Sequence, residues 1–122
     1  LLESEAQVRA LSPDYGAMAQ IPDYLGVIVT APADSPGVDF VSRFFAPRAG
    51  VNEDPVTGSS HTELIPFWAR RAGRQKLLAH QVSRRGGVLW CENLGPRVAI
   101  GGKAVLYMAG EILLNGGRAR HA

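Results

Sequence analysis

The sequence predicts an α+β fold: a rolled, mostly antiparallel sheet, a half-barrel, around one central buried helix. Its 122 residues make one domain, with no room for two. Segments of strand composition fall before and after a single long helical segment, whereas a parallel βαβ fold needs regular alternation. That helical segment, residues 59–72, is apolar over more than a narrow stripe (Leu64, Ile65, Phe67, Trp68, Ala69, Ala72), which predicts that it is surrounded on most sides.

The elements follow in order. Ser4 caps a short helix through Leu11, with Glu5 in its first turn and Ala6, Val8, Ala10 and Leu11 giving apolar surface. Ser12-Pro13-Asp14 ends it, and a second short helical turn covers residues 14–20. Residues 25–31 are rich in β-branched side chains and lie between Pro22 and Pro32, which predicts a strand; residues 38–46, ending at Pro47, predict a second. A polar loop spans 48–58 and leads into the helix. There Pro66 leaves the Thr62 carbonyl without its usual donor and predicts a kink. Strands at 76–83 and 88–92 flank a tight turn at 84–87. Further strands are expected at 97–100, 104–109 and 111–114, before a polar tail over 115–122.

Composition excludes several classes. Hydrophobic residues are 46% and charged residues 20% of the chain, ordinary for a globular domain and unlike a disordered chain or coiled coil. No apolar run approaches the roughly 20 residues of a membrane helix, so no membrane partner is expected. The net charge, 13 − 11 = +2, is too small and scattered to argue for nucleic acid. Arg70, Arg71, Arg74, Lys76, Arg84 and Arg85 lack interleaved aromatics and read as a solvated face. A single cysteine excludes an internal disulfide and a Cys-rich metal site, which points to a reducing, cytoplasmic compartment. Cys91, beside Trp90 in a strand, reads as a buried structural thiol; His80 has no second ligand nearby to support a metal site. The opening Leu1-Leu2-Glu3-Ser4-Glu5 has no initiator Met and no basic leader, which suggests a chain that begins part-way through a longer protein.

Residues 45–61 carry the most chemistry. Glu53 and Asp54 stand just before the small-residue turn Thr57-Gly58-Ser59 that opens the helix, with Thr57 or Ser59 as N-cap. Amides of Gly58, Ser59 and Ser60 lack intrahelical partners and sit at the positive end of the helix dipole, a ready pocket for a carboxylate or phosphate. On spacing alone, a capping Asp54 and a turn-forming Gly58 explain the pattern as well. No Lys follows Gly58 as in a Walker loop, and Ser59 is not in a Gly-x-Ser-x-Gly elbow. His61 either orients substrate or packs in the first turn. Glu53 either faces a cleft or forms a structural ion pair, and Arg43 either meets Asp54 or a substrate carboxylate or is solvated.

Four blocks, Arg43-Phe44-Phe45-Ala46-Pro47, Gly50-Val51-x-Glu53-Asp54-Pro55-Val56-Thr57-Gly58-Ser59, Pro66-Phe67-Trp68 and Gln81-x-Ser83-x-Arg85-Gly86-Gly87, together resemble the phenazine-biosynthesis PhzF-like family, of the diaminopimelate-epimerase-like fold. The resemblance covers nearly the whole chain. It implies two similar domains with the active site in the cleft between them, residues 1–114 being the second, C-terminal domain. The N-terminal domain, with its catalytic Glu and neighbouring His, is absent from this chain. The residue matching Asp54 is then an active-site carboxylate, Ser59 its polar partner, and Thr57-Gly58-Ser59 the substrate-carboxylate cradle, with Glu53 and His61 beside it. Cofactor-free proton transfer at carbon, an isomerisation that moves a proton and a double bond, is the implied chemistry. Related racemases use paired thiols, and the absence of cysteine from residues 48–61 excludes that variant for this half.

The physical requirements agree. Removing a proton from carbon needs a carboxylate in reach, and the charge that develops needs fixed donors. The expected partners are a small carboxylate substrate, the N-terminal domain of the same protein and a second copy of the chain in a homodimer. No metal and no cofactor is expected. Two other classes remain open: a non-catalytic small-acid binding module, and a structural or dimerisation domain whose half-cleft wants covering.

Overall fold

The computed structural model describes residues 1–112. Within them the α+β class holds. Helices α1 (Glu5–Ala10) and α2 (Tyr15–Ala19) precede strands β1 (Val27–Pro32) and β2 (Phe40–Ala46). A 3-10 turn at Pro47–Ala49, strand β3 (Val51–Asp54) and helix α3 (Gly58–Ala72) follow, then β4 (Lys76–Gln81), β5 (Gly87–Asn93) and β6 (Val98–Gly101). Ser4 caps α1 as read from the sequence, accepting from the Gln7 amide, and Asp14, expected only as the start of the second turn, caps α2 by accepting from the Ala17 amide.

All six strands form one sheet, ordered β1-β2-β4-β5-β6, with β3 also on β2. Pairing is antiparallel throughout except between β2 and β4, which run parallel. The parallel pair matches Phe40, Val41 and Ser42 with Ala79, His80 and Gln81, whereas β3 takes over the same edge of β2 at Phe44 and Ala46. The carboxyl ends of β3 and β4 therefore meet along one edge of β2. This junction positions the site.

Helix α3 lies on one face of the sheet. Leu64, Ile65, Trp68 and Ala69 pack with Phe40, Leu77, Ala79, Leu89 and Cys91 to form the main core. The Trp68 indole stacks on the Phe40 ring at 5.4 Å, and its N–H donates to Thr30 Oγ1 at 3.0 Å, so the polar edge of the indole is satisfied inside the core. Contrary to the expected enclosure on most sides, Ser59, Thr62, Glu63, Arg70 and Arg71 are exposed. Phe67, half-buried against Trp68, is shielded by the Arg71 guanidinium 4.9 Å from its ring, so part of the apolar surface is covered by the helix's own cation. The helix runs without a break through Pro66 and ends at Gly73, whose φ of +65° is the left-handed cap that glycine adopts without penalty.

On the opposite face, Val8 of α1 packs with Ala31 and Val41. Arg43 fastens this layer: its guanidinium donates to the carbonyls of Val8 (3.2 Å) and Leu11 (2.8 Å) at the end of α1 and holds Glu53 through two bonds of 2.7 and 2.9 Å. It also lies 4.8 Å above the Phe45 ring.

Three boundaries depart from expectation. The loop expected at 48–58 contains β3, a strand of polar composition made by its pairing to β2. No strand forms at 104–109: Val105, Leu106, Tyr107 and Met108 are exposed, and the segment joins none of the strands of the sheet, although the outer edge of β6 is unpaired among the described residues. Residues 111 and 112 are likewise outside any strand; 113 and 114 of the expected final strand, and the tail 115–122, lie outside the described residues.

Candidate functional site

Asp54 ends β3 and Gln81 ends β4, so the junction on β2 sets them beside each other. Between Asp54 and α3 the chain makes a short loop, and Gln81 holds that loop from below. The Gln81 side chain is buried, and every polar atom of its carboxamide is used. Oε1 accepts the Thr57 amide at 2.8 Å, and Nε2 donates to the Asp54 carbonyl at 2.8 Å and to Thr57 Oγ1 at 3.0 Å. Since Thr57 Oγ1 accepts from Gln81, its own proton is directed to Asp54 Oδ2, at 2.5 Å. The relay Gln81–Thr57–Asp54 thus fixes one carboxylate oxygen and leaves Oδ1 without a hydrogen bond among the described residues.

This geometry sorts the expected residues. Thr57 occupies the N-cap position but does not cap α3 with its side chain, because its hydroxyl is turned to Asp54. Ser59, expected as the polar partner of Asp54, is exposed at the start of α3, and its carbonyl accepts from Thr62 Oγ1; the hydroxyl on Asp54 is that of Thr57, three residues along the loop. Gly58 is exposed, and a Cβ built there meets nothing within 4 Å, so the backbone at the start of α3 is approachable at Gly58, next to exposed Ser59, while Ser60 is buried. Glu53 has both oxygens on Arg43, the ion-pair alternative, and Arg43 accordingly does not pair with Asp54.

His61 is fully buried below the helix mouth. Nδ1 lies 2.7 Å from the Thr57 carbonyl, which can only accept, so Nδ1 carries the proton. Among the described residues Nε2, left as a buried lone pair, has no hydrogen-bond partner, and neither does the buried Ser42 hydroxyl. Burial lowers the affinity of this imidazole for a second proton, with the Thr57 carbonyl partly opposing that shift. His61 therefore braces the loop as a neutral ring. Burial likewise pushes the Cys91 thiol up to about 11, which makes it an inert core group.

Two cavities flank the loop. One, of about 540 Å³, runs from Val56 and Gly58 to the β4–β5 turn and the segment after β6; the other, of about 450 Å³, opens beside Glu53 and Pro55. Arg85 lines both, and Lys103 lines the first. Ser83 keeps this turn against the loop, donating to the Pro55 carbonyl at 2.8 Å and accepting the Gly86 amide at 3.0 Å. Gly87 is required there: a Cβ would sit 2.3 Å from Val56 Cγ2. Sequence reasoning quoted Gln81, Ser83 and Arg85 only as motif positions or a solvated charge, and gave Lys103 no role. The signal that could have found the first two was the presence of polar side chains at a strand end next to a glycine turn. Among the described residues, no three His, Cys, Asp or Glu side chains gather as a metal site, and no helix is long and apolar enough to cross a membrane.

Comparison with known proteins agrees with this architecture. The family model described as phenazine biosynthesis-like protein (PhzC-PhzF) matches residues 1–110. An uncharacterized isomerase of Pseudomonas aeruginosa is 56% identical over 115 residues, which are 94% of this chain and 43% of the relative. The mouse phenazine biosynthesis-like domain-containing protein 2 is 47% identical over 93 residues, covering 71% of this chain and 32% of its own length. Among solved structures, a phenazine biosynthesis protein of the PhzF family from Enterococcus faecalis superposes with a TM-score of 0.82 at 50% identity, over 93% of this chain and 43% of that one. The chain spans less than half the length of these relatives. The match over residues 1–110, which takes in the Asp54–Ser59 loop, Gln81 and the Arg85 turn, places the chain in the phenazine biosynthesis-like PhzC-PhzF family.

Proposed function

We propose that this chain supplies one half of the active site of a cofactor-independent isomerase that moves a proton between carbons of a small carboxylate. The observation that carries the reading is the Asp54 carboxylate, anchored through Oδ2 by the Thr57 hydroxyl, next to the start of a helix that is open to approach at Gly58. A substrate carboxylate at the Gly58, Ser59 and Ser60 amides sets its adjacent carbon near Oδ1. The C–H bond breaks toward a base, its electron pair delocalises into the substrate π system, and the helix-start donors hold the charge. The proton returns at another carbon and shifts the double bond. The isomerase name carried by relatives supports the reaction class.

The second acid–base group is assigned to a preceding domain, in keeping with the share of the relatives that this chain covers, and the rolled sheet with α3 toward the cleft is the matching half. The exposed row Val105, Leu106, Tyr107 and Met108 supports a covering partner, either that domain or a second copy. In a polypeptide carrying both halves, Asp54→Asn should abolish solvent-deuterium incorporation into a bound small carboxylate and leave the melting temperature within a few degrees. Incorporation at an unchanged rate overturns the role of Asp54.

A further inference from the structure

The larger cavity has a charge pattern that a simple carboxylate leaves unanswered. Arg85 and Lys103 come from different elements, the β4–β5 turn and the segment after β6, yet line one volume of about 540 Å³. No carboxylate lines that volume, and neither cation makes an ion pair among the described residues. The rest of the wall is glycine and apolar side chain, including Val56 and Leu89. In the neighbouring cavity that Arg85 also borders, the acidic side chain is Glu53, already neutralised by Arg43. Arg85 is not placed by chance of a loose loop, since Ser83 ties its turn to Pro55 and Gly87 packs against Val56. Two cations facing one apolar volume without an internal anion raise the local concentration of anions and favour a ligand that brings its own negative charge.

We infer that the ligand of this site is a compact dianion: one carboxylate at the start of α3, and a second acidic group, carboxylate or phosphoryl, between Arg85 and Lys103. The inference rests on the proposed carboxylate site and adds the class of substrate it accepts. Arg85 offers the planar fork suited to either acidic group, and Lys103 a point charge. The apolar wall takes the short carbon body between the two ends.

Amide-resolved NMR titration at low ionic strength of a polypeptide carrying both halves tests it with three probes of similar size: butyrate, succinate and 3-phosphonopropionate. At least one dianion should bind tenfold or more tightly than butyrate, shifting Gly58 together with Gly86 and Gly102. Which of the two binds more tightly tells the carboxylate from the phosphoryl source. Arg85→Met should remove the advantage and Lys103→Met reduce it, while Arg84→Met, which changes the same net charge outside the larger cavity, should leave it intact. Equal affinity for butyrate and the dianions, with Gly58 to Ser60 still responding, overturns the dianion and spares the carboxylate site. An equal loss in Arg84→Met also overturns it, by showing diffuse attraction only. Silence of Gly58 to Ser60 with all three probes overturns both readings.

Discussion

At the scale of single residues, Gln81 and His61 show how buried polar groups decide the shape of a loop. Both polar atoms of the Gln81 carboxamide are hydrogen-bonded, so its replacement strands partners on both sides. Gln81→Met should cost about 2–3 kcal/mol in chemical denaturation, since it leaves the Thr57 amide and the Asp54 carbonyl unpaired near the core. His61 gives a pH signature. Its pKa is lowered in the folded state from the ordinary 6.5, so below that value the unfolded chain binds more protons and stability falls as pH falls. Between pH 7 and 5 the unfolding free energy should decline by at most about 1.4 kcal/mol per pH unit from this group, seen as a falling melting temperature, and His61→Phe should flatten that decline. An unchanged decline in the variant would assign the effect elsewhere. The placement of Asp54 beside the turn that opens α3 was legible in the sequence because it is local, although the Thr57 side-chain cap expected there is not made. Gln81 was not, because its role depends on two strand ends meeting along a third.

At the scale of elements, propensity worked where it agreed with pairing. Strands β1 and β2 are β-branched and aromatic runs bounded by prolines, and they form as read. β3, Val-Asn-Glu-Asp, has no such composition; it is a strand because Asp54 and Val51 pair with Phe44 and Ala46. The converse error is residues 104–109, which have strand composition yet pair with no strand among the described residues. Arg43 ties β2, β3 and α1 together through a two-pronged bond to Glu53 and carbonyls at the end of α1. Its side chain is 11% exposed and that of Glu53 17%, so solvent screens the pair only partly. Arg43→Met should destabilise by about 2 kcal/mol, and Arg43→Lys should recover little of it, because an ammonium cannot make the paired contact. Full recovery by lysine in a denaturation midpoint would show that charge alone matters.

At the scale of the whole molecule, the segment after β6 is separable from the core. Val105 is 91% and Tyr107 97% exposed, and neither belongs to the packed clusters. Chymotrypsin should therefore cut first after Leu106, Tyr107 or Met108, and the product should melt at the temperature of the intact chain. A lower melting temperature would mean that this segment contributes to the fold.

The one parallel pairing in the sheet has a kinetic consequence. β2 and β4 can meet only after the connection between them, which carries β3 and all of α3, has closed. Non-local closure of this kind slows folding, whereas the β4–β5 hairpin closes early. Gln81 reaches the Asp54 loop only through that late pairing, so the anion-responsive amide signals and the near-ultraviolet signature of the Trp68–Phe40 stack should appear in a single slow refolding phase, with the hairpin already formed.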